Sequence, residues 1–210
     1  MGLKLTNIRK NYLKSKLLEE NLPEIPFSLF EKWYQEAVDN EEDEPNAMVL
    51  ATVFQLRPSA RVVLLKEMID QSFLFFTNYS SRKGMEIASN PFVSLTFFWP
   101  KCERQIRIEG IVERISEDVS EAYFNSRPFE SRVGAVISLQ SQRLDSKQSL
   151  ENKFFDFVKS GQMPVRPSHW GGYRCIPDQI EFWQGGEHRL HDRIKYQLEN
   201  GSWIKERLSP

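Results

Sequence analysis

Short segments rich in β-branched and aromatic residues constrain what this chain can fold into. The first four are AMVLATVF, SARVVLLK, SFLFFT and VSLTFFW, and turn-forming residues separate them. Such segments predict strands. RQIRIEGIVERI alternates in the same way, with a change of facing expected after Gly110, and the C-terminal part adds GGYRCIP, QIEFWQG, HDRIKYQL and SWIKERL. Because helices do not alternate regularly with these strands, the pattern predicts a mainly β fold, an antiparallel barrel with surrounding helices.

Helical spacing of apolar residues appears in a few places between the strands. PFSLFEKWYQEAV predicts an amphipathic helix, and YSSRKGMEIASNP predicts a short one capped by Ser80 or Ser81. SEDVSEAYFNSRP predicts a helix with Ser116 as N-cap, and Pro128 then begins another short helix. DSKQSLENKFFDFVKSGQ predicts a last helix with one apolar face, formed by Leu150, Phe154, Phe157 and Val158.

Length and charge exclude several classes of protein. The chain has 210 residues and a formal net charge of −1, which suits one domain and argues against a nucleic-acid binder. Residues 1–20 are polar and predict a mobile arm, which leaves residues 21–210 as a single domain. Cys102 and Cys175 are too few for a disulfide scaffold and predict thiols in a reducing compartment. Without an apolar run that could span a bilayer, we expect a cytoplasmic protein with no membrane partner.

The segment SSRKG predicts an anion site. Arg82 and Lys83 lie in the first turn of the short helix, where the helix dipole repels cations. A bound anion removes this conflict, because backbone N–H groups and both side chains could face it, and a phosphate is the natural choice. Two solvated surface cations would explain the segment equally well.

Two further groups of residues suit phosphate binding. In SARVVLLK, strand alternation puts Arg61 and Lys66 on opposite faces, each among aliphatic residues. Lone cations on such faces are uncommon unless they are paired or bind an anion. In YFNSRPFESR, Tyr123 and Arg127 are neighbours if both are helical, and Ser131 follows. A phenol, a guanidinium and a hydroxyl would suit a phosphate monoester, although an arginine that caps a helix end is also common.

The segment IEFWQGGEHRLHDRIKY concentrates cationic groups beside a tryptophan. If the chain is extended after its Gly-Gly turn, Arg189, His191 and Arg193 share one strand face, and Trp183 lies on the preceding strand. These groups suit a planar anionic ligand that stacks on the indole. A zinc site is disfavoured, since His188 would point to the opposite face. No dinucleotide-binding or Walker motif occurs.

These segments together resemble the pyridoxine 5′-phosphate oxidase family. The resemblance rests on RVVLLK, FFTNYSSRKG, ERQIRIEG, YFNSRP, SRVGAVISLQS, WGGYR, IEFWQGGEHRLHDR and ERLSP, in order over nearly the whole chain. It implies a split β-barrel homodimer with FMN at the subunit interface. It also implies oxidation of pyridoxine 5′-phosphate or pyridoxamine 5′-phosphate to pyridoxal 5′-phosphate, a vitamin B6 reaction in which O2 reoxidises the flavin and yields H2O2.

The resemblance also implies roles for individual residues. The implied FMN-binding residues are Arg61, Phe76, Thr77, Arg82, Lys83, Gln105, Gln140, Ser141, Trp183 and Arg193. The implied substrate-binding residues are Lys66, Tyr123, Arg127, Ser131, Arg189 and His191, with Arg9 and Tyr12 as a lid. Arg189 and His191 are the candidate catalytic residues, and His191 is a candidate general base. No metal is implied.

Departures from the family pattern leave those residues intact. Phe76 stands where Tyr is frequent, Gln142 where a second Ser is usual, Phe129 where a basic residue is frequent, and Arg132 where Gln is common. Two alternatives stay open. One is a related flavin oxidase that acts on another ring, as in phenazine biosynthesis. The other is a non-catalytic protein that binds FMN or pyridoxal phosphate.

Overall fold

The computed structural model describes residues 11–210, in which nine strands outnumber five α-helices. The strands are β1 (Ala47–Phe54), β2 (Arg57–Leu64), β3 (Glu67–Ile69), β4 (Ser72–Asn78), β5 (Phe92–Trp99), β6 (Arg104–Arg114), β7 (Trp170–Gln184), β8 (Asp192–Glu199) and β9 (Ser202–Arg207). The helices are α1 (Pro26–Asp39), α2 (Arg82–Ser89), α3 (Glu117–Ser126), α4 (Phe129–Ile137) and α5 (Lys147–Lys159). The predicted mainly β class is confirmed. None of these helices is long and apolar enough to cross a membrane.

The strands form one hydrogen-bonded sheet whose path does not close over the described residues. Its order is β2-β1-β5-β6-β7-β4-β3, and β8 and β9 continue from β7 as a branch. β7 pairs antiparallel with β4 from Trp170 to Cys175, and with β8 from Gln179 to Gln184. The sequence predicted two separate strands here, GGYRCIP and QIEFWQG. Pro177 lies between the two ladders, where its missing N–H costs neither of them a hydrogen bond.

The chain divides into two compact units. Unit 1 contains the residues up to Val49, Leu95–Glu109 and Pro177–Pro210. Unit 2 contains Leu50–Ser94 and Gly110–Ile176. Each unit has its own core, and each contains part of the residues expected to act.

The core of unit 1 forms around α1. The helix buries Phe30 and Trp33, as its apolar spacing predicted. The Trp33 ring meets Phe182 edge to face at 5.2 Å, and Phe30 meets Phe97 at 5.3 Å. The guanidinium of Arg104 lies 4.3 Å from the centre of the Trp33 ring. Aromatic packing therefore fixes the end of β7 that leads into the hairpin.

The core of unit 2 forms between β4, β7 and α3. Phe75 is fully buried, and its ring centre lies 5.6 Å from that of Tyr173. Phe124, the buried aromatic residue of α3, packs against Trp170 at 5.3 Å. The cap prediction for this helix is confirmed, since the Ser116 side chain accepts a hydrogen bond from the Val119 N–H.

Other local predictions had mixed outcomes. Pro128 is the N-cap of α4 and not its first residue. The expected change of facing after Gly110 is wrong, since burial keeps alternating along β6.

No residue of α5 is buried, so its apolar face makes no deeply buried contact within the described chain. Cys102 and Cys175 are free and buried thiols. The division into an arm and one domain stays a prediction.

Helix α2 is held tightly at both its backbone and its side chains. Ser81 is its N-cap and accepts a hydrogen bond from the Gly84 N–H. A Cβ atom on Gly84 would lie 2.1 Å from the Tyr79 carbonyl oxygen, so a larger residue fits only if backbone atoms move. On the next turn, Glu86 is buried, and its carboxylate accepts hydrogen bonds from the hydroxyls of Thr52 at 2.5 Å and Ser59 at 2.7 Å.

The close approach at Gly84 predicts a stability difference between two glycines. Gly84→Ala should lower the free energy of unfolding by about 1–3 kcal/mol, because backbone atoms must move. Gly134→Ala is the matched control, since a Cβ there meets nothing within 4 Å. It should be neutral or stabilising by up to about 1 kcal/mol, because alanine favours the helix. Urea unfolding of both variants measures the difference, and equal effects would contradict the packing at α2.

The buried Glu86 carboxylate predicts a pH dependence. Burial alone would raise its pKa, but hydrogen bonds from Thr52, Ser59 and Arg82 and the charge of Arg61 outweigh burial and lower it from 4.5 to about 2. A lowered pKa stabilises the fold above pH 4.5, and the stabilisation is lost as the pH falls towards 2.

Urea unfolding at pH 7 and pH 3 tests this. The wild type should lose about 2 kcal/mol more than Glu86→Gln over that interval, because the variant has no carboxylate to protonate there. Equal losses in the two proteins would show that Glu86 does not carry this dependence.

Candidate functional site

One cavity in unit 2 brings together most of the predicted phosphate-binding side chains. Its volume is about 640 Å³, and its lining mixes cations, hydroxyls and aromatic rings. The residues from the sequence predictions that line it are Lys66, Phe76, Thr77, Lys83, Tyr123, Arg127, Ser131 and Gln140. These residues come from β4, α2, α3, α4 and adjoining loops, and they converge although they are up to 74 positions apart in sequence.

Arg127 reaches this cavity from an extended residue and not from a helix. It is the C-cap of α3, with φ −75° and ψ 151°, so the predicted helical spacing of Tyr123 and Arg127 is wrong. Pro128 explains the difference, because a residue before proline is disfavoured in the helical region. The guanidinium lies 4.7 Å from the Trp170 ring centre, and its Nη1 is buried with no hydrogen-bond partner among residues 11–210. Burial lowers the pKa of Arg127. A buried donor without an acceptor fits an anion supplied from outside.

Three aromatic rings form one wall of the cavity. Phe76 stacks on Tyr123 at 3.8 Å and on Trp170 at 5.7 Å between ring centres. The planes of Tyr123 and Trp170 differ by only 6°. The substitution of Phe for the usual Tyr at position 76 therefore keeps the stack. The stack limits the positions that the Tyr123 phenol can take.

Lys83 is another cation in the lining of this cavity. Its Nζ donates to Gln140 Oε1 at 2.9 Å, Thr77 Oγ1 at 3.1 Å and Ser81 Oγ at 3.3 Å. These acceptors are all neutral. Burial, and next the positive charge of Arg61, lower the pKa of Lys83. An anion in the cavity would offset both effects.

Arg61 and Arg82 are paired with a carboxylate. Arg61 Nη2 lies 3.0 Å from Glu86 Oε2, and Arg82 Nε lies 2.8 Å from Glu86 Oε1. Strand alternation placed Arg61 correctly on a semi-buried face of β2, and Glu86 is the partner that the sequence left unnamed. Lys66 follows the end of β2, so it is not the strand residue that alternation assumed.

The hairpin of unit 1 departs from its predicted extended form. Glu187–Arg189 form one 3-10 turn, and β8 starts only at Asp192. His188 and Arg189 have φ values of 53° and 64°, a left-handed conformation that costs non-glycine residues energy. The prediction that Arg189 and His191 share one face of a strand is therefore wrong. Backbone strain of this kind clusters at functional sites. Arg189 therefore stays a candidate substrate-binding residue.

Around this turn, Trp183, His191 and Tyr12 form an aromatic cluster. The ring centres of Trp183 and His191 are 4.7 Å apart, and Tyr12 lies 5.5 Å from Trp183 and 5.7 Å from His191. The Gly186 N–H donates to His191 Nδ1 at 3.1 Å. A neutral imidazole with this bond carries its proton on Nε2. A separate cavity of about 700 Å³ lies in unit 1 beside Tyr12 and His188.

The other residues predicted for the site lie on strands or in a loop, except one that is not described. Trp183 and Arg193 are partners in the β7–β8 register. Arg193 Nε donates to the buried Glu181 at 2.8 Å, and this bond raises the pKa of Arg193. Gln105 lies in β6, and Ser141 has a φ of 70° in the loop after α4. Arg9 lies outside the described residues.

Sequence reasoning missed two residues that shape these sites. Glu86 follows Arg82 by four positions on α2, so the ion pair was readable from spacing, but its burial was not. Trp170 appeared only as the first letter of WGGYR. Its contact with Arg127 depends on the pairing of β7 with β4, which no local pattern reveals.

Comparison with protein families gives two matches along the chain. Residues 34–157 match the family described as pyridoxamine 5′-phosphate oxidase. Residues 170–210 match the region described as the pyridoxine 5′-phosphate oxidase C-terminal dimerisation region. The second match contains the hairpin with Trp183, Arg189, His191 and Arg193.

Relatives align with the chain over nearly its whole length. The pyridoxine/pyridoxamine 5′-phosphate oxidase of Actinobacillus pleuropneumoniae serotype 5b (strain L20) is 52% identical over 207 residues, which covers 98% of this chain and 99% of the relative. The protein of the same name from Neisseria meningitidis serogroup C (strain 053442) is 50% identical over 208 residues and covers the same shares.

Solved structures show the same fold. PhzG from Burkholderia lata 383, in complex with tetrahydrophenazine-1-carboxylic acid, superposes with a TM-score of 0.88 at 28% identity, over 92% of this chain and 98% of that one. A pyridoxamine 5′-phosphate oxidase-related, FMN binding protein from Nostoc punctiforme PCC 73102 gives 0.73 at 16% identity, over 89% and 98%. The split-barrel fold class predicted from the sequence is confirmed. With a family match over more than half its length and relatives half identical from end to end, the chain belongs to the pyridoxamine 5′-phosphate oxidase family.

Proposed function

We propose that this protein oxidises pyridoxine 5′-phosphate and pyridoxamine 5′-phosphate to pyridoxal 5′-phosphate. FMN is the cofactor, O2 is the electron acceptor and H2O2 is the second product. The working form is a homodimer with FMN at the subunit interface. The family match, the relatives' names and the dimerisation region support this assignment.

The buried Nη1 of Arg127 is the observation that carries the proposal. A guanidinium nitrogen that is removed from water and has no acceptor costs free energy until an anion reaches it. Lys66, Tyr123 and Ser131 line the same cavity and add an ammonium group and two hydroxyls. This donor set matches the oxygens of a phosphate monoester, which both proposed substrates carry.

The residues around Lys83 fit the phosphate of FMN. Lys83 has only neutral acceptors around it, and Arg82 and Arg61 lie on the same helix and the facing strand. Thr77, Gln140, Ser141 and Phe76 would hold the cofactor on this side, and Gln105, Trp183 and Arg193 are the further proposed contacts. When bound, FMN supplies the hydride acceptor that no side chain can provide.

Arg189 and His191 would orient the pyridine ring of the substrate. Arg189 lies in the left-handed turn, two residues before His191 of the aromatic cluster with Trp183 and Tyr12. Tyr12 and Arg9 would cover the substrate once it is bound. The protein contributes binding geometry and exclusion of water, which together raise the rate by holding the reacting groups in place.

His191 is a hydrogen-bond donor in this arrangement and not a general base. Its Nδ1 already accepts the Gly186 N–H, so the neutral ring has a proton on Nε2 and no lone pair free there. A donor at Nε2 suits a substrate oxygen such as the pyridine hydroxyl. In this proposal His191 donates a hydrogen bond instead of acting as the general base that the sequence suggested.

A phenazine-type oxidase is the second candidate, because PhzG has the same fold at a TM-score of 0.88. The four phosphate-binding groups of the cavity favour a phosphorylated substrate over it. A protein that only binds FMN or pyridoxal phosphate would use the same residues but would not oxidise a substrate.

The visible spectrum of the purified protein under anaerobic conditions tests the proposal. Adding pyridoxine 5′-phosphate should bleach the flavin bands, and admitting air should restore them with release of H2O2. If the flavin stays oxidised with this substrate and with pyridoxamine 5′-phosphate, the proposed activity is wrong. Bleaching by a reduced phenazine carboxylate alone would favour the second candidate.

Two charge-removing variants should separate the two phosphate sites. Lys83→Gln should raise the Kd for FMN by about 10- to 100-fold, because it loses a charge-assisted hydrogen bond. Arg127→Gln should raise the KM for pyridoxine 5′-phosphate by a similar factor and change the FMN Kd by less than about threefold. Flavin fluorescence titration and steady-state kinetics measure both quantities. The reverse pattern would exchange the two assignments.

A further inference from the structure

Glu86 is a buried carboxylate beneath two of the cations proposed for the cofactor phosphate. Its side chain is 5% exposed, while the side chains of Arg61 and Arg82 are 20% and 61% exposed. Oε2 accepts from Arg61, Thr52 and Ser59, and Oε1 accepts from Arg82. One carboxylate therefore joins β1, β2 and α2 to both arginines.

This network fixes the orientation of Arg61. Its Nη1 donates to the Leu50 carbonyl oxygen at 2.9 Å and to Thr52 Oγ1 at 2.7 Å. Its Nη2 donates to Ser59 Oγ at 2.5 Å and to Glu86 Oε2 at 3.0 Å. A guanidinium has five N–H donors, so these four bonds leave only Nε without an acceptor among residues 11–210. Arg61 can rotate only if it breaks the network.

Arg82 is held in the complementary way. Its Nε donates to Glu86 Oε1, which leaves both terminal nitrogens for other acceptors. Lysine and arginine side chains lose substantial rotamer freedom when a ligand immobilises them. A side chain already fixed by Glu86 has lost part of that freedom before the ligand arrives.

We propose that Glu86 is a positioning residue for the phosphate end of the cofactor site, and that it acts by fixing Arg61 and Arg82 before binding. The inference rests on the proposed FMN function and deepens it. Electrostatics alone makes the opposite prediction, because removing a negative charge near a phosphate should tighten binding. The sign of the change therefore distinguishes the two.

The experiment compares FMN with riboflavin, which lacks the phosphate. Apoprotein of the wild type, Glu86→Ala, Glu86→Gln and the control Glu113→Ala is titrated with each flavin, and fluorescence quenching gives the Kd. Glu113 is a surface residue of unit 2 that pairs with Arg174 and is 44% exposed. Near-ultraviolet circular dichroism establishes that each apoprotein is folded at the temperature used.

Glu86→Ala should raise the FMN Kd by about tenfold, because two arginines must then be ordered on binding. Its riboflavin Kd should change by less than about twofold, since no phosphate is present to use them. Glu86→Gln should lose less, because its amide oxygen can still accept from Arg61 while its NH2 group cannot accept from Arg82. If the alanine variant does not fold, the glutamine variant provides the same comparison. Glu113→Ala should match the wild type with both flavins.

The possible failures are distinguishable. If the wild type binds FMN no more tightly than riboflavin, the proposed cofactor site is wrong. If the wild type prefers FMN and the Glu86 variants keep that preference, Glu86 does not position the arginines. If the Glu86 variants bind both flavins more weakly by the same factor, the role of Glu86 is purely structural. If they bind FMN more tightly, the negative charge of Glu86 opposes FMN binding. Either of these last outcomes overturns the inference.

Discussion

Positive charge that is taken out of water must be compensated, and this requirement separates two kinds of cation in the protein. Arg61 and Arg193 are compensated inside the fold by the buried carboxylates of Glu86 and Glu181. Lys83 and Arg127 are not, since the partners of Lys83 are neutral and Arg127 Nη1 has none among residues 11–210. The first kind stabilises the framework, and our proposal also gives Arg61 a role at the cofactor phosphate. The second kind would gain a charged partner if an anion bound in the cavity.

Hydrogen bonds and ring stacking inside the fold also hold the uncompensated cations in fixed positions. The hydrogen bonds that Glu86 accepts hold α2 against β1 and β2. Lys83 lies on the first turn of the same helix. In the same cavity, Tyr123 stacks on Phe76 and lies nearly parallel to Trp170, and the Trp170 ring holds the guanidinium of Arg127. Since immobilising a flexible side chain costs free energy, both arrangements move part of that cost from ligand binding to folding.

The sequence predicted the features that depend on neighbouring residues along the chain, and it did not predict those that depend on distant residues. The periodic spacing of α1, the Ser81 and Ser116 caps and most strands follow from neighbours along the chain, and the structure agrees. The convergence of Lys66, Lys83 and Arg127 on one cavity depends on strand pairing, which local patterns do not encode. The resemblance to a family named these residues, but it could not show which of them have internal partners.

The errors also have local physical causes. Strand alternation failed after Gly186, because a left-handed turn at His188 and Arg189 replaces the extended chain. Alternation assumes that every residue takes a low-energy conformation, and these two do not. The turn is also where Gly186 bonds to His191 and fixes its ring nitrogen as an acceptor. The feature that the pattern failed to predict therefore also contains the hydrogen bond that His191 makes within the fold.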